Sequence, residues 1–143
     1  MLNKQYLKDL VYQVNGAAIE VHKHIRPGLL ESVYHKCMVK ELAIRGINVQ
    51  SEVTIPIEYK GLEFESEIRC DLFVEKSLVV ELKAIDKILP IHEAQLLTYM
   101  KLLEVPMGLL INFNVTNIFK EGQKSYVNER YRYLEEKINS KKN

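Results

Sequence analysis

A chain of 143 residues, 47% hydrophobic and 27% charged, has the material for a core and the polarity of an ordinary globular protein. Its 20 basic and 19 acidic residues leave a formal net charge of +1, which excludes a strongly basic or acidic domain but not a local basic patch. No apolar run approaches the roughly 18 residues of a membrane span, the opening Met1-Leu2-Asn3-Lys4-Gln5 lacks a signal peptide's apolar segment, and Cys37 and Cys70 are too few for a disulfide framework. A single domain over residues 1–143, cytoplasmic and with no membrane partner, is therefore expected.

Residues 2–24 have helical spacing, with Leu7, Leu10, Val11, Val14, Ala18 and Val21 in one apolar stripe. Arg26-Pro27-Gly28 interrupts it. A second helix is predicted over 29–45, with Leu30, Val33, Tyr34, Cys37, Met38 and Leu42 facing inward and Gly46 as its stop. A strand rich in β-branched residues follows over 47–59, in which Pro56 predicts an edge position or a bulge. Lys60-Gly61 turns the chain into a strand over 62–74. Its alternation places Leu62, Phe64, Ile68, Cys70, Leu72 and Val74 on one face and Glu63, Glu65, Glu67, Arg69 and Asp71 on the other. Glu75-Lys76-Ser77 reads as a hairpin loop into a strand over 78–84. Pro90 precedes a helix over 91–104, which Pro106 stops, and the apolar run 107–113 suits a strand buried on both faces. Residues 114–123 predict a polar loop and 124–127 a short last strand. A charged terminal helix over about 128–140, solvated or serving as an interface, completes the chain. Together these elements predict an α/β sandwich around a mixed sheet, in which the strand–helix–strand unit from 81 to 111 pairs its strands in parallel with a right-handed connection.

The hairpin carries the most informative residues. If 75–77 is its loop, Asp71 lies directly across from Glu81 with both side chains on one face. Two carboxylates so placed repel each other and destabilise a sheet. A divalent cation such as magnesium, held by carboxylate oxygens, resolves that conflict. Lys83, two residues beyond Glu81, then sits beside the same site. The plainer alternative is an ion pair between Lys83 and one of these carboxylates on a solvated sheet face.

Further positions complete a pattern. Gly28-Leu-Leu-Glu31-Ser-Val-Tyr34 is followed, in order, by Asp71, by Glu81-Leu82-Lys83 and by Gln95-Leu-Leu-Thr-Tyr99. From about Val11 to Val127 the chain resembles the GxxExxY proteins, a branch of the PD-(D/E)XK nuclease superfamily. The Pro-Asp dipeptide that names the superfamily is absent, and Cys70 precedes Asp71.

The resemblance implies a restriction-endonuclease-like α/β fold, a mixed β-sheet flanked by helices with an α-α-β-β-β-α-β core. It implies a metal-dependent nuclease that hydrolyses phosphodiester bonds of nucleic acid, with DNA as the expected substrate and Mg2+ (or Mn2+) as the cofactor. Asp71 and Glu81 would hold the metal, and Lys83 would stabilise charge or orient the attacking water. Glu31 would complete the metal site or support it, though a carboxylate in the first turn of a helix also suits the helix dipole. Gln95 and Tyr99 match a Gln-x-x-x-Tyr motif that helps hold the site and the nucleic acid; a surface Gln–Tyr pair is the alternative. His22 occupies the place of a metal-binding histidine, or else caps a helix. Tyr34 is expected to pack in the core, and His24, His35 and His92 have no ligand spacing. The rival expectation is a catalytically inactive nuclease-fold module that binds nucleic acid or a protein partner. Either could work as a homodimer.

Overall fold

The structure, a computed structural model, describes residues 2–136. Asn3 starts the first helix, α1 (Lys4–Ile25), by accepting the Tyr6 N–H on its side chain, which satisfies one of the unpaired first-turn donors. Arg26, Pro27 and Gly28 then turn the chain. Gly28 sits at φ +103°, a backbone conformation that a Cβ disfavours. The chain continues through α2 (Glu31–Ile44), the hairpin β1 (Val49–Tyr59) and β2 (Leu62–Val74), and then β3 (Leu78–Lys83). After these come α3 (Pro90–Leu102), β4 (Met107–Asn112), α4 (Ile118–Glu121), β5 (Gln123–Val127) and α5 (Glu129–Arg132).

The five strands form one mixed sheet in the order β1-β2-β3-β4-β5. β3 and β4 are parallel across the α3 connection, and the other neighbours are antiparallel. β4 is buried throughout and β3 along all but its last residue, as the apolar run 107–113 predicted for a strand covered on both faces. The stripe of α1 and the inner face of α2 share one core with Leu72, Val80, Leu82 and Leu109. Leu96, Tyr99 and Met100 of α3 share a second core with Ile55, Cys70, Val79 and Leu110 on the opposite face. Each such leucine or valine contributes roughly 1.5–3 kcal/mol on burial, against less than about 1 for an exposed ion pair. Pairs such as Arg132–Glu129, open to solvent on both sides, are therefore secondary to the sheet packing.

Four expectations change. Leu30 and Val33 do not face inward: both are exposed, and Leu30 precedes α2 as its N-cap. The single apolar face of β2 is not kept: Leu62, Phe64 and Ile68 are exposed, and Cys70 packs with the α3 core while Leu72 and Val74 join the α1/α2 core. The switch occurs beside Glu52, whose φ of +53° breaks the regular ladder opposite Asp71. Nearer the hairpin tip the register shifts between Thr54 and Pro56, the bulge that a proline without an N–H predicts. The Ser66 hydroxyl fills it, donating to the Ile55 carbonyl and accepting the Ile68 N–H. The polar loop contains the short helix α4, because the Asn117 side chain caps the Lys120 N–H and Ile118 is buried. The terminal helix is seen only as Glu129–Arg132. Residues 133–136 leave it, so that the Glu135 and Glu136 carbonyls accept the Lys4 and Gln5 N–H groups of α1. The rest of that expected helix lies outside the described residues.

One aromatic contact ties the two halves of the motif together. The Tyr34 ring stacks on Phe113, with centroids 4.5 Å apart and planes 10° from parallel. Phe113 in turn donates its N–H to the Lys83 carbonyl at 2.8 Å. The Tyr34 hydroxyl donates to the Arg26 carbonyl and accepts the Leu29 N–H, clamping the loop that delivers Glu31. Tyr34 is fully buried, as expected of a packing residue. Tyr34→Phe should leave both loop groups unpaired and lower stability by about 1–3 kcal/mol. Urea denaturation would then show a lower midpoint with an unchanged slope; an unchanged midpoint would contradict the clamp.

Candidate functional site

The β2–β3 hairpin sets the register. Val74 pairs with Leu78, Phe73 with Val79 and Leu72 with Val80, across the three-residue loop 75–77. Continuing that register places Asp71 opposite Glu81. There the ladder ends and the side chains take over. The Asp71 N–H donates to Glu81 Oε2 at 2.7 Å, and the Leu82 N–H donates to Asp71 Oδ2 at 2.8 Å. Each carboxylate is thus held by the other's strand. Asp71 Oδ1 and Glu81 Oε1 have no hydrogen-bond partner among the described residues.

Burial first, and then the Asp71 charge, push the Glu81 carboxyl up to about 8, although the Asp71 N–H and Lys83 oppose them. Burial also raises Asp71, against the Leu82 N–H, His35 and Lys83, while Glu52 adds to the rise. Glu31, in the first turn of α2, is raised by burial and then by Asp71, with Lys83 and His35 opposing. Asp71, Glu81, Glu31 and Lys83 therefore share one electrostatic neighbourhood. Lys83 forms no ion pair within 4.0 Å among the described residues, so the plainer alternative for it is not realised.

Tyr99 closes the α3 side of this neighbourhood. Burial, and then the charges of Glu81 and Asp71, push its hydroxyl up to about 12. Cys70 is pushed to about 12 by burial and the same two carboxylates, so it is a protonated, buried thiol and no nucleophile. Gln95 lies one turn earlier on α3, exposed, with no hydrogen bond to the carboxylates among the described residues. His22 is buried on α1, where its Nε2 engages the Val115 carbonyl at 2.8 Å. It is not among the charges that shift Asp71, Glu81 or Glu31.

The donor set fits a hard cation. Two carboxylates, each anchored through one oxygen and open at the other, suit a magnesium-like ion that keeps several waters. Among the described residues no three His, Cys, Asp or Glu side chains stand ready as a complete metal cage. The fit is that of an open two-carboxylate site, with Glu31 as the adjacent third.

Three residues with a bearing on the site escape sequence reasoning. Asn112 is buried at the end of the apolar β4 run, and its amide brackets Ile85, donating to the Ile85 carbonyl and accepting the Ile85 N–H. It thereby fixes the segment that leaves Lys83. An asparagine closing an otherwise apolar strand was the available signal. Glu52 adds a carboxylate near Asp71, and no local pattern announces its left-handed backbone. His35, set aside for want of ligand spacing, stands one turn after Glu31 and meets Ser51 of another element.

Linkage turns the Glu81 shift into a pH dependence. Glu81 is raised from 4.5 to about 8, so the folded protein holds more protons than the unfolded chain between those values. Its contribution to stability is complete below pH 4.5 and is lost as pH rises through about 8. In EDTA, urea denaturation across this window should show stability falling with pH. Glu81→Gln should fall less steeply than wild type; equal slopes would contradict the assignment.

Comparison with known proteins agrees with this geometry. No curated protein sequence matches the chain significantly. The crystal structure of SSO0001 is similar, with a TM-score of 0.51 and 26% identity over 67% of this chain and 48% of that one. The chain thus spans about half the length of that protein. The family model of the PD-(D/E)XK nuclease superfamily matches residues 8–125, which include Glu31, Asp71, Glu81, Lys83 and Tyr99. A mixed five-stranded sheet flanked by helices is the restriction-endonuclease-like arrangement, and the chain belongs to the PD-(D/E)XK nuclease superfamily.

Proposed function

We propose that this chain is a metal-dependent nuclease of the GxxExxY branch that hydrolyses phosphodiester bonds in DNA. The observation that carries this reading is the convergence of Asp71, Glu81 and Lys83 at the point where the β2–β3 ladder gives way to side-chain hydrogen bonds. The GxxExxY assignment has its support in Gly28 at positive φ and in Tyr34 clamping the loop before Glu31.

In this reading Asp71 and Glu81 hold Mg2+ or Mn2+, with Glu31 completing the site from α2. The cation supplies Lewis-acid polarisation of the phosphate and acidifies bound water. Asp71 and Glu81 must both be ionised to hold it, so metal and proton compete for Glu81. The Lys83 ammonium, with no ion pair among the described residues, stabilises the negative charge that builds on the phosphate oxygens and orients the attacking water. Tyr99 borders the carboxylates from α3, and Gln95 is exposed to meet the nucleic acid one turn away. This reading draws its ligands from Asp71, Glu81 and Glu31 and gives His22, whose Nε2 is on the Val115 carbonyl, a part in holding α1 to that loop. Two free cysteines suit a reducing cytoplasm.

A second reading is favoured by one observation. A net charge of +1 gives little stand-alone affinity for DNA, which fits a nuclease-fold module that needs a second copy or another protein to engage nucleic acid.

The test is cleavage of labelled single- and double-stranded DNA and of RNA with Mg2+ or Mn2+. Wild type should cut, and Lys83→Ala should lose on the order of 10²–10³-fold in rate while keeping its metal-induced rise in melting temperature. Equal cutting by both proteins would contradict the role of Lys83. No cutting by wild type, in any of these mixtures, would remove the nuclease reading in favour of the module.

A further inference from the structure

His35 was expected to have no metal role, yet it stands at the mouth of the carboxylate site. Glu31 and His35 are four residues apart and so lie one turn apart on the same side of α2. Glu31, His35 and Lys36 from α2, Ser51 and Glu52 from β1, and Asp71 from β2 line one cleft. The imidazole is braced across it, because His35 Nε2 and Ser51 Oγ share a hydrogen bond. In the tautomer that takes the Ser51 hydroxyl as donor to Nε2, the ring proton is on Nδ1, and a doubly protonated ring also carries an N–H there. Nδ1 has no partner among the described residues.

One groove on the α3 side has the wrong charge for a polyanion, and a second, where Lys87, Lys120 and Lys124 stand beside Glu93 and Glu121, holds none of the site's carboxylates. Between the hairpin tip and α3 the first groove presents Glu58, Glu63, Glu65 and Glu104 against Lys101 and Arg130. The α2 cleft differs, since two of its three carboxylates, Glu31 and Asp71, belong to the proposed metal site, where a bound cation would offset part of their charge. Lys36 and the braced imidazole remain to face a phosphate.

We propose that the nucleic-acid strand runs through the α2–β1 cleft, where His35, held by Ser51, donates a hydrogen bond to a phosphate adjoining the scissile one and Lys36 supplies the opposing charge. This rests on the nuclease reading. His35 touches the strand but takes no part in bond breaking, so it governs how substrate is held rather than the chemical step. Its loss should appear in KM and leave kcat almost unchanged.

The experiment compares wild type, His35→Ala, His35→Gln and Lys36→Ala on the labelled DNA and RNA oligonucleotides with Mg2+. His35→Ala should raise KM about tenfold, equivalent to about 1.4 kcal/mol of binding, with kcat within about twofold. His35→Gln, which retains an N–H donor, should recover most of the loss. Lys36→Ala should reduce the salt slope of binding by about one. All three should keep the wild-type shift in melting temperature with Mg2+, which separates a substrate contact from damage to the fold or the metal site. A wild-type KM in His35→Ala, or a loss confined to kcat, overturns the proposal while the nuclease reading stands. Failure of wild type to cut any of these substrates overturns both.

Discussion

Two carboxylates facing each other across a hairpin are the constraint around which this molecule is arranged. Asp71 and Glu81 each spend one oxygen on the backbone of the opposite strand and leave the other open. Like charges at this spacing destabilise a sheet, and burial first, then the Asp71 charge, push the Glu81 carboxyl up to about 8. A fold optimised for stability alone would place an apolar pair there, since replacing buried charges by packed hydrophobes is often neutral or favourable. Retaining the pair costs stability, and a cation would return it as binding free energy.

The surrounding structure holds that pair to a fixed geometry. β3 is buried along its length until Lys83, so Glu81 has little freedom to swing away. Phe113 hydrogen-bonds the Lys83 carbonyl and stacks on Tyr34, whose hydroxyl clamps the turn before Glu31. Asn112 brackets the next segment at Ile85. Residues from α2, β2, β3 and β4 thus meet through a few directional contacts, each supported by core on one face of the sheet. Placing reactive groups on strands and a helix rather than on loops is how a small fold keeps them in register.

Much of this was legible in the sequence, for identifiable reasons. The three-residue loop at Glu75-Lys76-Ser77 sets the register by counting alone, which is why the Asp71–Glu81 opposition could be anticipated. The unbroken apolar run of β4 announced a central strand, and the parallel pairing with β3 followed from the intervening helix. The change of face at Asp71 was not legible. It depends on Glu52 taking a left-handed backbone that its residue type does not announce, so a strict period of two mispredicted where Leu62, Phe64 and Ile68 point. Over residues 133–136 the expected terminal helix gives way for a tertiary reason, because the Glu135 and Glu136 carbonyls serve the start of α1, a partner far away in sequence. His35 shows the same limit: it lacks ligand spacing in the sequence, and Ser51 and the cleft come from another element.

Titration calorimetry addresses the carboxylate pair most directly. Adding Mg2+ to metal-free protein near pH 7, in two buffers of different protonation enthalpy, counts the protons released per ion bound. With its pKa at about 8, Glu81 is mostly protonated under these conditions and must ionise to bind metal. Wild type should therefore release most of a proton with each Mg2+ bound, and Glu81→Gln should release almost none and bind weakly. No binding, or binding that Glu81→Gln leaves unchanged, would contradict a cation site built on Asp71 and Glu81; binding without proton release would contradict only the raised Glu81 carboxyl.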